Sequence, residues 1–432
     1  MTLEEIRKNF GAELKPGLVD QLINNPSAHY IQILLLRELQ SSAIFTTNGQ
    51  DADITTVGIH ADDGLVDYSP VMMFKRKQTG SDRRKGKELQ RNLIGIEDTM
   101  AVNEMNQVSP ESILYGSAAG EEAISVTSRV MYDTAYSIRD SSVLVEEKFQ
   151  NAPGDSYAKR TDDKRASAGP REPDFIMPGT LFPCVVTLRD ATFEELVFVL
   201  GVTKMNKRYG AATSRIGRMA NHFLGIYYGL EEGPANLFLS QEIVRRLAAA
   251  NGGATSEKLK KVIYSQVLDI EVVKGLTKQA FEDEIRALNI KPLEGSEGLV
   301  DSITADAVRE ALEIQKTKAA DFFKLVNEKR EKKYVFSWDK ISGEDNGRLI
   351  EFLTKKFDID WVKTAKIEKI DNDKTIKVST EKNSLSLRIN DKKTEVILEI
   401  DDGRANKFEA KMENDELKIY EKKKGGRRKK VE

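Results

Sequence analysis

The chain has 432 residues, 40% hydrophobic and 31% charged, a composition typical of a globular protein. At about 150 residues per domain, this length predicts two or three domains. The single cysteine, Cys184, excludes a disulfide framework, and three dispersed histidines argue against a histidine-built metal centre. The N-terminus resembles no signal peptide, and no segment approaches the roughly 18 apolar residues of a membrane span. We therefore expect a soluble, cytoplasmic protein that needs no metal or other cofactor.

The net charge of −2 conceals strong local differences along the chain. Residues 1–70 carry ten acids and four bases, whereas residues 74–91 carry eight bases and two acids. Residues 204–218 carry five bases and no acid, and the tail 422–430 carries seven bases. Local clusters of this kind indicate binding partners better than the net charge does.

The first half of the chain contains a strand pattern, a basic segment and a polar excursion. The apolar residues of 31–47 predict a buried strand. The bases of 74–91 follow a short apolar strand and are predicted to lie in a glycine-containing loop. Residues 140–173 have three prolines and few apolar side chains, so we expect a long surface excursion or mobile finger. Its flank, 123–147, is rich in β-branched and aromatic residues, so the flank and the excursion together predict an extended, hairpin-like projection.

Strand and helix signals alternate after this excursion. Residues 181–190 predict a strand, and Thr192 with Glu195 forms a capping box that opens a helix over 193–200. Residues 218–229 predict another strand, Ser240 begins a further helix, and three more helices are expected at 256–270, 278–288 and 304–330. This order indicates an α+β fold in which helices pack on one face of an antiparallel sheet.

The composition changes beyond residue 331. A short helix at 345–357 precedes a run of strands with period-two alternation and turn residues between them, which predicts an antiparallel meander. We therefore predict two domains, 1–330 and 331–432. The second is a small α+β domain of unknown function with a basic tail.

The two internal basic segments, 74–91 and 204–218, are suited to binding a polyanion. Each lysine or arginine that neutralises a phosphate releases a condensed counterion. A solvated charged surface is the alternative for 74–91, but that segment has few acids for local pairing. In 204–218, glycines and small residues would let a phosphate approach the main chain, and Tyr209 offers a ring for base stacking. An ordinary helix–strand turn is the alternative there.

Asp51 and Asp53 follow the first predicted strand. Paired carboxylates could hold Mg²⁺ for phosphodiester cleavage. Loop acids of this kind are more often turn formers, so catalysis is the less favoured interpretation.

Several long segments of the chain resemble one family. Residues 182–201 and 207–229, with 37–50, 75–95 and 109–130, resemble the Csc2 family, the RAMP-type backbone subunits of subtype I-D CRISPR effector complexes. The resemblance implies a ferredoxin-like (RRM-like) palm with large insertions. It further implies that several copies lie side by side on one CRISPR RNA, grip its backbone without reading its sequence, and present it for pairing with target DNA or RNA. The implied partners are CRISPR RNA, target nucleic acid, other copies of the chain and other type I-D subunits, with no membrane.

The resemblance also assigns roles to residues. Residues 140–173 would be a thumb-like insertion, while 331–432 departs from the family pattern. The residues implied to contact the guide RNA are Lys75, Arg76, Lys77, Arg83, Arg84, Lys85, Arg91, Arg208, Gly210, Arg215 and Arg218.

Two functions from different classes remain open. The favoured one is a non-catalytic CRISPR RNA-binding backbone subunit. The alternative is a metal-dependent ribonuclease subunit that uses Asp51 or Asp53, as type III relatives of this fold do. A generic single-stranded RNA binder is a third, less specific possibility.

Overall fold

The computed structural model describes most of the chain in two compact units, Met1–Phe322 and Phe323–Glu432. The boundary falls inside the helix predicted over 304–330. The described residues are all except 48, 102–103, 119–124, 148–172, 211–215, 251, 331–333, 338–340, 342, 344–345, 358, 371–373, 391–394, 401–404, 414–415 and 421–432. Most of the predicted finger at 140–173 therefore lies outside the described residues.

The first unit contains both helices and strands. Its helices are α1 (Leu3–Leu14), α2 (Lys75–Ile94), α3 (Pro110–Tyr115), α4 (Phe193–Met205), α5 (Asn236–Ala249), α6 (Ser256–Ile263), α7 (Ile270–Ile285), α8 (Ser296–Ser302) and α9 (Ala305–Arg330), the last of which continues into the second unit. Its strands are β1 (Tyr30–Leu39), β2 (Val57–Ala61), β3 (Gly64–Tyr68), β4 (Pro70–Met73), β5 (Val130–Tyr132), β6 (Ala135–Asp140), β7 (Val145–Glu146), β8 (Phe175–Ile176), β9 (Leu181–Arg189), β10 (Arg208–Tyr209), β11 (Gly217–Gly229) and β12 (Ile290–Pro292).

The central sheet is antiparallel, and its strand order is β10-β11-β1-β9-β5, with β12 paired to β11. In the middle of the sheet, Ile33 of β1 lies between Ile226 of β11 and Val186 of β9. The four strands β1, β5, β9 and β11 therefore occupy the spatial order fourth, first, third, second. Helix α2 lies between the first and second of these strands in the chain, and α4 between the third and fourth. The predicted α+β class with an antiparallel sheet is confirmed.

Helices cover both faces of this sheet, which corrects the prediction of a single covered face. On one face, Ile33 and Leu35 of β1 join a core with Leu196 of α4. On the other face, Leu34 packs in a cluster with Phe281 of α7. A strand that is buried on both faces has a nearly continuous run of apolar residues in its sequence. Strand β1 has that pattern between Ile31 and Leu36.

Several predicted elements differ from the observed ones in detail. The capping box of Thr192 and Glu195 is present and opens α4, as predicted. Helix α5 begins at Asn236, before the predicted Ser240, and α7 begins at Ile270 because Asp269 accepts hydrogen bonds from the first amides of that helix. The projection predicted from 123–147 together with 140–173 lies largely outside the described residues, but the two strands that bracket the gap, β7 and β8, pair antiparallel. Within the flank, β5 pairs with β9 and β6 pairs with β4.

The second unit contains the predicted helix and meander. Its core joins Phe352 and Leu353 of the helix to Ile376 and Leu387 of the sheet. The helix is α10 (Asn346–Phe357), and the sheet has the order β13-β19-β18-β17-β16-β15-β14, formed by β13 (Tyr334–Ser337), β14 (Lys366–Ile370), β15 (Thr375–Ser379), β16 (Ser384–Asn390), β17 (Glu395–Ile400), β18 (Ala405–Glu413) and β19 (Glu416–Tyr420). Within the described parts of both units, every helix is too short or too polar to span a bilayer.

Candidate nucleic-acid interface

The basic segment 74–91 is helical, which corrects the predicted loop. Helix α2 runs without a break from Lys75 to Ile94. Gly86 lies where α2 meets α4: a Cβ atom added there would lie 3.2 Å from Phe198 Cζ and 3.6 Å from Val202 Cγ2. Gly86 therefore permits close packing of two helices and does not mark a loop.

Two bases of α2 form ion pairs inside the protein. The Arg83 guanidinium donates to both carboxylate oxygens of Glu111, at 2.7 and 3.3 Å, and to the Gly116 carbonyl at 2.7 Å. Lys87 Nζ lies 2.6 Å from a carboxylate oxygen of Asp98 and 2.6 Å from one of Glu111. Burial opposes ionisation of Asp98, but its hydrogen bond with Lys87 holds the pKa of that carboxyl below its ordinary value. Acids are scarce within this segment, as predicted, but Glu111 and Asp98, which lie outside it, pair with Arg83 and Lys87.

Three other bases of α2 are exposed and form no ion pair with a carboxylate anywhere in the described chain. Lys75 and Arg76 stand at the start of the helix, and the Arg76 guanidinium lies 5.6 Å from the Phe74 ring centroid. Arg84 donates to the Ser81 hydroxyl at 3.2 Å. These side chains are therefore accessible to an external anion.

Two further bases of α2 form ion pairs at the surface. Lys85 Nζ lies 3.3 Å from Glu88, and Arg91 Nε lies 2.9 Å from Glu97, whose side chain is 82% exposed. Exposed pairs of this kind contribute about 0–1 kcal/mol, so a phosphate can compete for either base.

The short ladder between β10 and β11 carries like charges directly opposite each other. Arg208 pairs in register with Arg218, and both side chains are exposed. Burial lowers the pKa of neighbouring Lys207, and the charges of Arg218 and Lys204 lower it further. Among the described residues, no carboxylate forms an ion pair with Lys207, Arg208 or Arg218. Like charges opposed across a ladder repel each other, and a bound anion would relieve that repulsion.

Gly210 begins the turn that joins these two strands. Its φ of 123° is a backbone conformation that residues other than glycine rarely adopt. An added Cβ atom would lie 3.0 Å from the Ile44 carbonyl oxygen. Arg215, which the resemblance also places at the guide, lies outside the described residues. The main chain at Gly210 is therefore packed against the segment that follows β1.

The start of α2 also contacts that segment. Lys77 Nζ donates to the Thr46 carbonyl at 2.6 Å, and burial lowers the pKa of Lys77. Gly210 packs against Ile44 and Phe45 in the same segment. We call the cations of these two adjacent elements the basic cluster, which consists of Lys75, Arg76, Lys77, Arg84, Lys207, Arg208 and Arg218.

A buried polar network joins α2 to the β10–β11 ladder. The Asp82 carboxylate of α2 accepts hydrogen bonds from Tyr209 Oη at 2.6 Å, Asn206 Nδ2 at 2.8 Å and Tyr132 Oη at 2.9 Å. Arg37 of β1 lies 3.5 Å from the same carboxylate, and both side chains are fully buried. Asp82 therefore links strand β5, the end of α4 and strand β10 to the basic helix.

Tyr209 is not a platform for base stacking, which corrects the sequence-based prediction. Its side chain is fully buried. The Arg37 guanidinium lies 4.5 Å from its ring centroid, and burial raises the pKa of its hydroxyl. Arg37 Nε also donates to the sulfur of buried Cys184 at 3.2 Å.

The two candidate metal ligands lie in the loop after β1. Asp53 accepts a hydrogen bond from the Thr47 hydroxyl at 2.8 Å, and its backbone amide donates to the Phe45 carbonyl at 2.8 Å. Asp51 is exposed in the same loop. Across the described residues, no three acidic, histidine or cysteine side chains are grouped closely enough to hold a metal ion.

The fold and the cluster together describe an α+β protein in which cations that pair with no described carboxylate are concentrated on one helix and an adjoining two-stranded ladder. The family model described as Csc2 Crispr matches residues 17–309, more than half of the chain. The chain belongs to the Csc2 family. Membership of this family supports a role in a CRISPR effector complex.

Three solved structures are similar to the chain. The crystal structure of Thermofilum pendens Csc2 is 16% identical, with a TM-score of 0.49, and the match covers 74% of this chain and 98% of that one. A chain of a CRISPR RNA-guided surveillance complex is 10% identical, covers 67% and 99% of the two chains and has a TM-score of 0.36. A chain of a Type IV-B CRISPR complex is 15% identical, covers 45% and 90%, and has a TM-score of 0.29. No curated protein matches the chain.

Proposed function

We propose that this protein is a non-catalytic backbone subunit of a type I-D CRISPR effector complex. It binds CRISPR RNA through charge and main-chain contacts and presents the RNA for pairing with a target, which we take to be DNA. Its partners are the guide RNA, further copies of the chain and other subunits of the complex. Family membership supports the assignment to an effector complex. The fourth-first-third-second strand order, with helices after the first and third strands, supports a ferredoxin-like palm.

The opposed pair Arg208 and Arg218 is the observation that carries this proposal. These two like charges lie directly opposite each other, and the charge of Arg218 also lowers the pKa of Lys207, so the isolated protein holds positive charge without a compensating carboxylate in the described chain. A polynucleotide backbone supplies evenly spaced negative charge and carries no sequence information. Guide RNAs differ in sequence, so contacts to the backbone suit a subunit that must bind all of them.

The proposed contacts are the exposed bases and do not include every base of α2. Arg83 and Lys87 keep their charges paired in the interior. Lys85 and Arg91 are available if the RNA displaces their surface partners. Of the residues that the resemblance assigns to the guide, we therefore expect Arg83 to act through the fold of α2 and not by direct contact.

Replacing Arg208 and Arg218 by alanine should weaken binding of single-stranded RNA and reduce its dependence on salt. Each lost contact with a single strand should reduce the slope of log K against log salt by about 0.7, so the double variant should lose about 1.4. Fluorescence anisotropy with a labelled oligonucleotide, titrated at several salt concentrations, measures this slope.

Arg286→Ala with Arg309→Ala provides the matched control. Both arginines are exposed, and each pairs with an aspartate three residues before it. The control removes the same total charge, so it should leave the slope nearly unchanged. An equal loss of slope in both double variants would refute a specific role for Arg208 and Arg218, and absence of RNA binding by the unaltered protein would refute the proposed function itself.

The ribonuclease alternative has a separate test. Asp53 is held by Thr47 in the loop after β1, near the basic cluster, so it is the better placed of the two acids. Incubation of the protein with guide RNA, complementary RNA and Mg²⁺ should leave both strands intact on a denaturing gel. Cleavage that disappears in Asp51→Ala or Asp53→Ala would establish the alternative and overturn the non-catalytic assignment.

A further inference from the structure

We infer that Asp82 and Tyr209 are positioning residues, which hold the β10–β11 ladder against α2 so that both parts of the basic cluster engage one RNA strand. This inference rests on the proposed function. Neither side chain is accessible to RNA, because both are fully buried. Their effect on RNA binding must therefore pass through the cations that they place.

The contacts at Asp82 join elements that are distant in the chain. One carboxylate oxygen of Asp82 accepts from Tyr209 Oη at 2.6 Å and from Asn206 Nδ2 at 2.8 Å. The other accepts from Tyr132 Oη at 2.9 Å. Hydrogen bonds to an ionised acceptor are stronger than bonds between neutral groups. The carboxylate therefore fixes the distance between α2 and the residues that lead into the turn.

The network ends next to the exposed bases. Tyr209 adjoins Arg208 in β10, and Arg208 in turn lies opposite Arg218. The Asn206 side-chain oxygen accepts from the Arg208 backbone amide at 3.2 Å, and Asn221 Nδ2 of β11 lies 3.2 Å from Tyr209 Oη. Loss of the Tyr209 hydroxyl would therefore loosen both strands of the ladder at the point where its cations face each other.

The buried ion pair in this network favours a role in positioning over one in stability. Arg37 lies 3.5 Å from Asp82, and its Nη1 and Nη2 atoms donate no hydrogen bond to any described residue. A buried ion pair is often no more stabilising than apolar side chains of similar volume. The charged arrangement instead fixes relative positions, because Asp82 accepts hydrogen bonds from three donors that lie on different elements.

Tyr209→Phe tests the inference, since it removes one hydroxyl and keeps the ring. The variant should bind single-stranded RNA about three- to tenfold more weakly, the range that corresponds to one lost hydrogen bond. The decisive measurement is a double-mutant cycle with Arg208→Ala. In the Tyr209→Phe protein, Arg208→Ala should have a smaller effect on affinity than it has in the unaltered protein, because Arg208 is already displaced. A purely structural role would leave that effect unchanged.

Tyr227→Phe is the matched control. Tyr227 is a buried tyrosine of β11 whose hydroxyl donates to Glu282 at 3.2 Å, at the opposite end of the strand from Arg218. It should lose stability without losing RNA affinity. Asn206→Ala, which removes a different bond to Asp82, serves as a second variant and should show the same loss of coupling.

The outcomes separate the two proposals. If the unaltered protein binds RNA and both variants bind equally well with the full Arg208 effect, the positioning role is refuted and the proposed function stands. If the unaltered protein binds no RNA, the proposed function fails first.

Discussion

Asp82→Ala should lower the free energy of unfolding of the first unit by about 3–5 kcal/mol. The substitution leaves the guanidinium of Arg37 fully buried without its carboxylate, and it removes the acceptor for Tyr132, Tyr209 and Asn206. A buried charge that loses its partner is among the few changes that destabilise a protein by this much. Urea denaturation followed by circular dichroism would measure the difference.

A second pair of variants shows whether the uncompensated charge is the cause. Asp82→Asn keeps an oxygen that can accept a hydrogen bond, but it still leaves Arg37 unpaired. Adding Arg37→Met removes that charge, so the double variant should be more stable than Asp82→Asn alone. If the second substitution only adds to the damage, the loss in Asp82→Ala arises from hydrogen bonds and packing and not from the charge of Arg37.

Reversing four charges of the basic cluster should lower RNA affinity by about two orders of magnitude at about 0.1 M salt. The substitutions are Lys75→Glu, Arg76→Glu, Arg208→Glu and Arg218→Glu. All four side chains are exposed and form no ion pair with a described carboxylate, so the fold should tolerate the changes. Each reversal both removes a phosphate contact and adds repulsion. Titration of labelled single-stranded RNA, with thermal unfolding measured in parallel, would give the result.

The control for this variant reverses four exposed cations elsewhere. Lys260 and Lys261 lie on α6, Arg286 directly follows α7, and Arg309 lies on α9. The same total change of charge at these positions should weaken binding only through the long-range field, which salt screens over about 10 Å at 0.1 M. A comparable loss in the control would show that RNA responds to net charge and not to the basic cluster.

The location of the basic cluster follows from the way the sheet is covered. Helices α4 and α7 pack on opposite faces of the sheet around β1, so the centre of the sheet is not available to RNA. The exposed cations lie instead on α2 and on the β10–β11 ladder at the sheet edge. This arrangement supplies unpaired positive charge, which can bind a polynucleotide backbone without reading its bases.

Local sequence patterns were sufficient for the core strands and for α4. Strands β1, β9 and β11 consist largely of apolar side chains, and the capping box of Thr192 and Glu195 satisfies the first amides of α4 within the same few residues. These signals act over short separations, so they can be read without the rest of the fold. The meander of the second unit was predicted on the same grounds.

The sequence of α2 contains the pattern of a helix face, but its two glycines favoured the prediction of a loop. Gln78, Asp82, Gly86 and Leu89 recur every three or four residues and are all buried, which is the pattern of one helix face. Gly80 and Gly86 suggested a loop, because an isolated glycine in a polar segment commonly marks one. Only the packing of Gly86 beneath Phe198 explains why a glycine is needed within this helix.

The division of the bases between interior and surface was decided by tertiary structure alone. The sequence determined that cations concentrate in two segments, because charge is a property of each residue. It could not show that Glu111 would pair with Arg83 and Lys87, or that Asp82 and Arg37 would enclose Tyr209. Those partners are far apart in the chain and meet only when the sheet and its helices assemble. An external anion can therefore bind most readily the cations that the folded protein leaves unpaired.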